Sequence, residues 1–227
     1  MNKILIAGVD EAGRGPVLGS LVVGCVLFEE DKLHLLEEHE ITDSKQLTAE
    51  KRQAMAEVIY KHCKEYQIYE LTAPNLDEGR KHRTLNEIEV RLFAQVLNDL
   101  KGKPDEIYLD AADVKEDRFG HNVKGLLSFS PKRVISKHKG DSLFRIVGAA
   151  SILAKVKRDA VIEGYKRQYG EIGSGYPGDR KTRLFLKNIL LENNFKYPEF
   201  VRQSWATAQN ILCETKAAQE QRLLTDF

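Results

Sequence analysis

Apolar residues occur in short runs along the chain, and the first of them stops at two carboxylates. Ile4 to Val9 leads directly into Asp10 and Glu11, and a second apolar run extends from Leu18 to Phe28. Their Ile, Leu and Val content predicts strands over residues 3–9 and 18–28, joined through Gly13-Arg14-Gly15-Pro16 as an antiparallel hairpin. A helix is predicted from Thr48 to about Cys63, with Met55, Val58, Ile59 and Cys63 along one side, and a third strand near residues 67–71. Thr84-Leu85-Asn86-Glu87 has the capping-box spacing, and Leu85, Ile88, Leu92 and Val96 continue it at helical intervals until Lys101-Gly102-Lys103-Pro104. Glu106 to Leu109 then reads as a strand that delivers Asp110 at its end, much as the first run delivers Asp10. A short strand near Val134 to Ser136 precedes Asp141, after which Phe144 to Tyr169 reads as one long helix facing inward through Ala149, Ile152, Leu153, Val156 and Ile162.

Beyond Arg180 the pattern is helical only. Leu184, Leu186, Ile189 and Leu190 fall in one helix and Trp205, Ala208, Ile211 and Leu212 in another. Strands interleaved with helices after an opening hairpin predict an α/β fold, a mixed β-sheet flanked by helices with a C-terminal helical region. The expected divisions are a sheet domain over 1–178, a helical region over 179–220 packed on it, and a tail at 221–227.

Composition narrows the class. A chain of 227 residues, 42% hydrophobic and 30% charged, can bury a full core and has no low-complexity tract. Lys and Arg total 35 against 34 Asp and Glu, so the net charge of +1 exerts no global pull on nucleic acid, and any such binding must use a local patch. One candidate is Lys132, Arg133, Lys137, His138, Lys139, Arg145, Lys155, Lys157 and Arg158; a second is Arg180, Lys181, Arg183 and Lys187. A solvated helix face is the competing account of both. Cys25, Cys63 and Cys213 lack metal-ligand spacing and suit a reducing compartment. The opening apolar run is too short for a signal sequence and no window approaches a membrane span, so a soluble cytoplasmic protein without a membrane partner is expected.

Adjacent acids at a strand end repel one another unless positive charge joins them, and a divalent cation is the usual source. Asp10, Glu11, Asp110 and Asp141 all come from strand ends or a helix start, which a mixed sheet can bring together. Four carboxylates can hold two Mg2+ or Mn2+ ions about 4 Å apart, sufficient for in-line phosphodiester hydrolysis. Asp113 is as good a candidate as Asp110 by spacing, and Asp141 could equally be the N-cap of the long helix. The glycines of Gly13-Arg14-Gly15 allow close backbone approach to a bulky ligand, and Arg14 adds a fork suited to phosphate.

Taken together, Gly-Val-Asp-Glu-Ala-Gly-Arg-Gly-Pro at 8–16, Asp-Ser-Lys at 43–45, Tyr-Leu-Asp-Ala-Ala-Asp at 108–113, Lys-His-Lys-Gly-Asp at 137–141, Ala-Ala-Ser-Ile-Leu-Ala-Lys at 149–155 and Gly-Ser-Gly-Tyr-Pro at 173–177 resemble ribonuclease HII of the archaeal type. The resemblance covers almost the whole chain in order. It implies a ribonuclease H-like fold over 1–178 and endonucleolytic cutting of the RNA strand in RNA/DNA hybrids. It also implies nicking 5′ to single ribonucleotides in duplex DNA, with 3′-hydroxyl and 5′-phosphate ends. Asp10, Glu11, Asp110 and Asp141 match the family's catalytic, metal-binding acids. Gly13, Arg14 and Gly15 match the loop that contacts the ribonucleotide 2′-hydroxyl, the group that distinguishes RNA from DNA. Tyr176 matches the tyrosine that packs on the adjoining deoxyribose; a tyrosine on the rim of a turn before Pro177 is its bland alternative. Lys45 and Lys139 resemble phosphate or site-edge lysines, with surface lysine as the alternative. Where the family more often has Ala before its fourth acid this chain has Gly140, which is expected to loosen the backbone that aims Asp141.

The tail places Gln221, Leu224 and Phe227 at three-residue intervals. This resembles the peptide by which replication and repair enzymes hold a sliding clamp, against the alternative of a frayed helix end. A monomer is the default state. A non-catalytic nucleic-acid or clamp-binding module on the same scaffold is the competing class, and it predicts the loss of at least one of the four acids; all four are present.

Overall fold

The structure, a computed structural model, describes residues 3–39, 41 and 47–225, with side chains described as far as Gln221. Strands β1 (Leu5–Ala12), β2 (Leu21–Glu29), β3 (Glu65–Leu71), β4 (Glu106–Asp110) and β5 (Arg133–Lys137) form one sheet in the order β3-β2-β1-β4-β5. β1 pairs antiparallel with β2, whereas β1 with β4 and β4 with β5 are parallel, giving the expected mixed sheet. The expected hairpin forms, but β1 runs three residues further than the apolar pattern implied. Its ladder to β2 continues through Asp10↔Gly24 and Glu11↔Val23 to Ala12↔Val22, because backbone bonds hold a strand together whatever its side chains. The two acids therefore lie within the strand and not after it.

The chain divides into two compact units, the first comprising residues 1–12, 22–70 and 83–159 and the second residues 13–21, 71–82 and 160–227. This division does not follow residue 178: it falls inside the long helix, and it places the Gly-Arg-Gly loop with the C-terminal helices.

In the first unit, β1 alternates so that Ile6, Gly8 and Asp10 share one face and Ala7 and Val9 the other. On the first face lies the N-terminal part of the long helix, α7 (Arg145–Tyr169); it follows α1 (His34–Glu38), α2 (Ala49–His62), α4 (Leu85–Asn98), α5 (Glu116–Lys124) and α6 (Gly140–Leu143) of this unit, whereas α3 (Ala73–Arg80) belongs to the second. The approach is close: a methyl group added at Gly8 would come 2.8 Å from Val147 N, and one at Gly24 2.5 Å from Ala150 O. Those two glycines let helix backbone lie directly on the strands. Ile6, Val26 and Phe28 of the sheet, Ala56 and Ile59 of α2, and Val147, Ala150 and Leu153 of α7 form the core there.

α4 contacts β1, and Phe93 of α4 meets Phe119 of α5 edge to face with centroids 5.1 Å apart. The predicted capping box is formed: Thr84 Oγ1 accepts from Glu87 N at 3.3 Å and Glu87 Oε2 from Thr84 N at 2.7 Å, a cap typically worth about 1 kcal/mol. Thr48 likewise caps α2. The sequence pattern did not predict α1, α3, α5 or α6. They are short, α3 carries Pro74 and Gly79, and α5 carries Gly120, residues that read as breaks when tertiary support is not visible.

The second unit has its own core. Val17, Leu18, Ile162, Ile172, Phe200 and Val201 pack with Leu186 and Leu190 of α8 (Arg180–Glu192) and with Ala208 and Ile211 of α9 (Ala206–Thr225). Leu18 bridges Val201 in antiparallel fashion, which ties the 13–21 loop to the segment between the two helices. Of the apolar residues of α8, Leu186 is buried but Leu184 is 57% exposed; positions two apart in a helix are about 200° apart, so only one of them can lie on the buried stripe. Trp205 precedes α9 and packs, partly buried, against the same core as Ala208 and Ile211.

Candidate active site

Three carboxylates meet at the centre of the sheet. Asp10 is 3% exposed, and each of Asp10, Glu11 and Asp110 offers an oxygen such that all three atoms lie within 4.8 Å of one another. The register explains this. Val9 pairs with Leu109 in the parallel β1–β4 ladder, so the residues that follow, Asp10 and Asp110, emerge side by side. Asp10 Oδ1 accepts from Glu11 N at 2.7 Å, and Asp110 Oδ1 accepts from Gly140 N at 2.7 Å. The carboxyl of Asp10 is held well above the ordinary carboxylate range, first by burial and then by the charges of Glu11, Asp110 and Asp141; a hydrogen bond from the Ser151 hydroxyl opposes the rise.

Asp141 lies in the first turn of α6, 2% exposed, with its Oδ1 accepting from Ser142 N at 3.0 Å. It stands outside the three-acid group yet close enough for its charge to act on Asp10. It is not the N-cap of the long helix, which begins four residues later. Asp113, the alternative to Asp110, is committed elsewhere: Arg118 grips it with Nε–Oδ2 at 2.7 Å and Nη2–Oδ1 at 2.5 Å, which holds its carboxyl below the usual range.

The role expected of Gly140 needs correction. A methyl group there would meet Leu109 O at 2.9 Å and Asp110 Cα at 3.1 Å. Its missing side chain lets the start of α6 press against β4 so that its N–H reaches Asp110; the glycine fixes the acids and does not loosen them. Lys139, just before it, takes a left-handed conformation at φ 57° and is exposed, with no side-chain partner among the described residues. Lys45 lies outside the described residues.

A pocket of this composition fits a divalent metal. Three oxygen donors within 4.8 Å, largely buried and mutually repelling, are the hard anionic set that Mg2+ or Mn2+ takes, and a dication opposes the burial and repulsion that raise the Asp10 carboxyl.

The second unit holds the remaining expected residues together. Gly13 has φ 87°, a conformation suited to glycine, and a methyl group at Gly15 would lie 3.6 Å from Cε1 of Tyr176. Tyr176 is 48% exposed, so its ring is available at the surface beside that loop. Gly175 O accepts from Val17 N at 2.8 Å, and Asp179, at the start of α8, accepts from Ser174 N at 2.6 Å and from its hydroxyl at 2.8 Å. Those bonds bring the Asp179 carboxyl down to about 2. The fully buried Arg202 donates from Nη2 to Gly13 O at 2.6 Å, from Nη1 to Arg14 O at 3.2 Å and from Nε to Gly19 O at 2.8 Å.

The first basic segment is largely neutralised in place. Lys132 pairs with Asp105 at 3.0 Å, Arg133 with Glu106 at 2.8 Å, Arg145 with Glu37 at 3.0 Å and Lys157 with Glu70 at 2.9 Å, while Lys137 pairs with Glu116. In α8, Lys181 pairs with Glu171, whereas Arg180, Arg183 and Lys187 are exposed along one groove with Gly178 and Ile211. At the tail, α9 runs to Thr225 and Gln221 is exposed on it; the side chain of Leu224, and Phe227, lie outside the described residues.

Two residues escaped the sequence reading. Ser151 stood within the Ala-Ala-Ser-Ile-Leu-Ala-Lys motif but was given no role of its own, and Arg202 was visible only as a charge after Phe200-Val201.

A family model described as Ribonuclease HII matches residues 7–208. A ribonuclease HII of Thermococcus kodakarensis is 47% identical over 226 residues, covering 98% of this chain and 97% of its own. The crystal structure of ribonuclease H2 from Pyrococcus horikoshii superposes with a TM-score of 0.89 at 40% identity, covering 94% of this chain and 99% of that one. The ribonuclease HII in a complex with PCNA from Archaeoglobus fulgidus gives 0.81 at 36% identity, covering 91% and 96%. The mixed sheet flanked by helices is thus the ribonuclease H-like arrangement that the sequence motifs implied.

Proposed function

Because the chain belongs to the ribonuclease HII family, and so is an endonuclease of the ribonuclease H type, we propose that it hydrolyses the RNA strand of RNA/DNA hybrids and nicks duplex DNA 5′ to single ribonucleotides. The products are a 3′-hydroxyl and a 5′-phosphate. The observation that carries this is the meeting of Asp10, Glu11 and Asp110 within 4.8 Å, with Asp141 near enough to add its charge.

Asp10, Glu11, Asp110 and Asp141 would hold two divalent ions, Mg2+ or Mn2+. When bound, the ions supply Lewis acidity that makes the attacking water more acidic and stabilises the leaving 3′-oxygen. The protein's own groups do the rest. Glu11 N–H and Ser151 orient the Asp10 carboxylate, and Gly140 N–H orients Asp110, so the acids need little reorganisation when the scissile phosphate arrives. In the second unit, Gly13, Arg14 and Gly15 read the 2′-hydroxyl and Tyr176 packs on the neighbouring deoxyribose, where an extra hydroxyl would clash. Lys45 and Lys139 are phosphate contacts in this reading.

The C-terminal Gln221, Leu224 and Phe227 are proposed to hold a sliding clamp, as a short helical plug does in a groove; the PCNA complex of the Archaeoglobus relative supports it. Among the described residues no helix is long and apolar enough to cross a membrane; a cytoplasmic location and a monomeric state belong to the same proposal, and the three free cysteines agree with a reducing compartment.

The decisive assay is cleavage of a duplex bearing one ribonucleotide, in Mg2+ or Mn2+, by wild type, Asp10→Asn and Asp110→Asn. Both variants should lose cutting, and either one retaining wild-type rates refutes the four-acid mechanism. Equal cutting of an all-DNA duplex by wild type refutes the 2′-hydroxyl reading. Removing residues 221–227 should abolish clamp capture and leave cutting of short duplexes intact; clamp binding that persists removes the tail from the interface.

A further inference from the structure

Arg202 is the largest fully buried side chain among the described residues, and its guanidinium points at the carbonyls of the Gly-Arg-Gly loop. A buried guanidinium is costly unless its N–H groups are answered, and here Gly13 O, Arg14 O and Gly19 O answer Nη2, Nη1 and Nε. The arginine is itself fixed from behind. Its N–H donates to Val17 O at 2.9 Å, its guanidinium carbon lies 4.8 Å from the Trp205 ring centroid, and Asp77 accepts from Gln203 N at 2.7 Å and from Ser204 Oγ at 2.6 Å.

In a trans peptide unit the C=O and the N–H point in opposite directions. Drawing the carbonyls of Gly13 and Arg14 toward Arg202 therefore turns the N–H groups of Arg14 and Gly15 away from it, as two successive donors. Consecutive backbone N–H groups aimed together make a concavity for an oxygen acceptor. A charged donor on each carbonyl also polarises its peptide and strengthens the N–H on the other side.

We propose that Arg202 is the positioning residue for ribonucleotide recognition: it holds the 13–15 loop so that the Arg14 and Gly15 N–H groups donate to the oxygen of a ribose hydroxyl. The inference rests on the reading of that loop as the 2′-hydroxyl contact. It assigns no contact between Arg202 and the nucleic acid.

The test uses the full chain as wild type, Arg202→Met and Arg202→Lys, with two duplexes of one sequence, one carrying a single ribonucleotide and the other all DNA. The readouts are kcat/KM on the first, Kd for the second and Mn2+ affinity. Arg202→Met should lose at least tenfold in kcat/KM, with all-DNA Kd and Mn2+ affinity within twofold of wild type. Arg202→Lys, which keeps the charge but not the fork, should recover part of the loss. If the ribonucleotide and all-DNA arms fall together, or neither moves, the assignment is wrong. Should Arg202→Met fail to fold, Arg202→Lys carries the test alone, and wild-type selectivity in it overturns the proposal. A wild-type protein that does not prefer the ribonucleotide duplex refutes the reading of the loop itself and not the role of Arg202.

Discussion

Replacing Asp10 with asparagine should make the metal-free protein more stable while removing its activity. The wild-type centre places Asp10, Glu11 and Asp110 oxygens no more than 4.8 Å apart. At that separation each charged pair costs about 3.5 kcal/mol with an effective dielectric constant of about 20. Proton uptake by Asp10 relieves much of this, so the recoverable part is on the order of 2 kcal/mol, the usual scale for relieving a strained functional site. For a chain of this size that is roughly 4–8 °C in Tm. Asparagine keeps an acceptor for Glu11 N–H, so the backbone bond at 2.7 Å survives.

The pH dependence has a definite sign. Folding raises the Asp10 pKa, so the folded metal-free protein holds that proton more tightly than the unfolded chain does. The contribution is fully present below the unfolded carboxylate value of about 3.9 and is lost as pH rises through the raised folded value. Asp10→Asn has no such loss. Thermal melts in EDTA should therefore coincide near pH 4 and diverge toward pH 8, with the variant higher. Adding Mn2+ should reverse the order, because a ligand at a hundredfold its Kd stabilises wild type by about 2.7 kcal/mol and has no comparable site in the variant. A variant no more stable than wild type at pH 8 in EDTA, or a difference that does not change with pH, would refute the repulsion argument.

Ser151→Ala removes the hydroxyl that orients Asp10; Mn2+ affinity measured by calorimetry should fall roughly tenfold, as for other outer-shell partners of metal ligands, with little change in Tm. Gly140→Ala forces a methyl group to within 2.9 Å of Leu109 O, so it should cost about 1–3 kcal/mol in denaturant unfolding and weaken metal binding through Asp110 and Asp141. Asp113→Asn loosens the Arg118 pair but touches no proposed ligand. Mn2+ affinity should stay within twofold, while the stability that this pair adds above the unfolded carboxylate pKa, and that is lost as pH falls through the lowered folded value, should disappear.

How much could be read in advance differs by element. The strands carrying Asp10 and Asp110, the Thr84 capping box and the long helix were readable because each is a local pattern: short apolar runs, apolar positions at helical spacing, or a polar pair at a fixed interval. Their ends were less so. β1 continues through Asp10 and Glu11 because β2 supplies a ladder there, and no side-chain pattern reports a partner strand.

What the sequence by itself determined is the order of the strands and the longer helices, and the four acids and the Gly-Arg-Gly loop as motifs, since these depend on residues near one another in the chain. Only the tertiary structure decided which of those motifs meet. The parallel β1–β4 register joins Asp10 to Asp110 across a hundred residues, while Asp113 is claimed by Arg118. Close packing gave Gly140 a role opposite to its expected one, and acidic residues such as Glu106 and Glu116 pair with several members of the basic segment. Ser151 and Arg202 act on residues far from them in sequence, through one hydrogen bond and three. Such contacts depend on distance and direction in space, and a linear pattern of residue types carries neither.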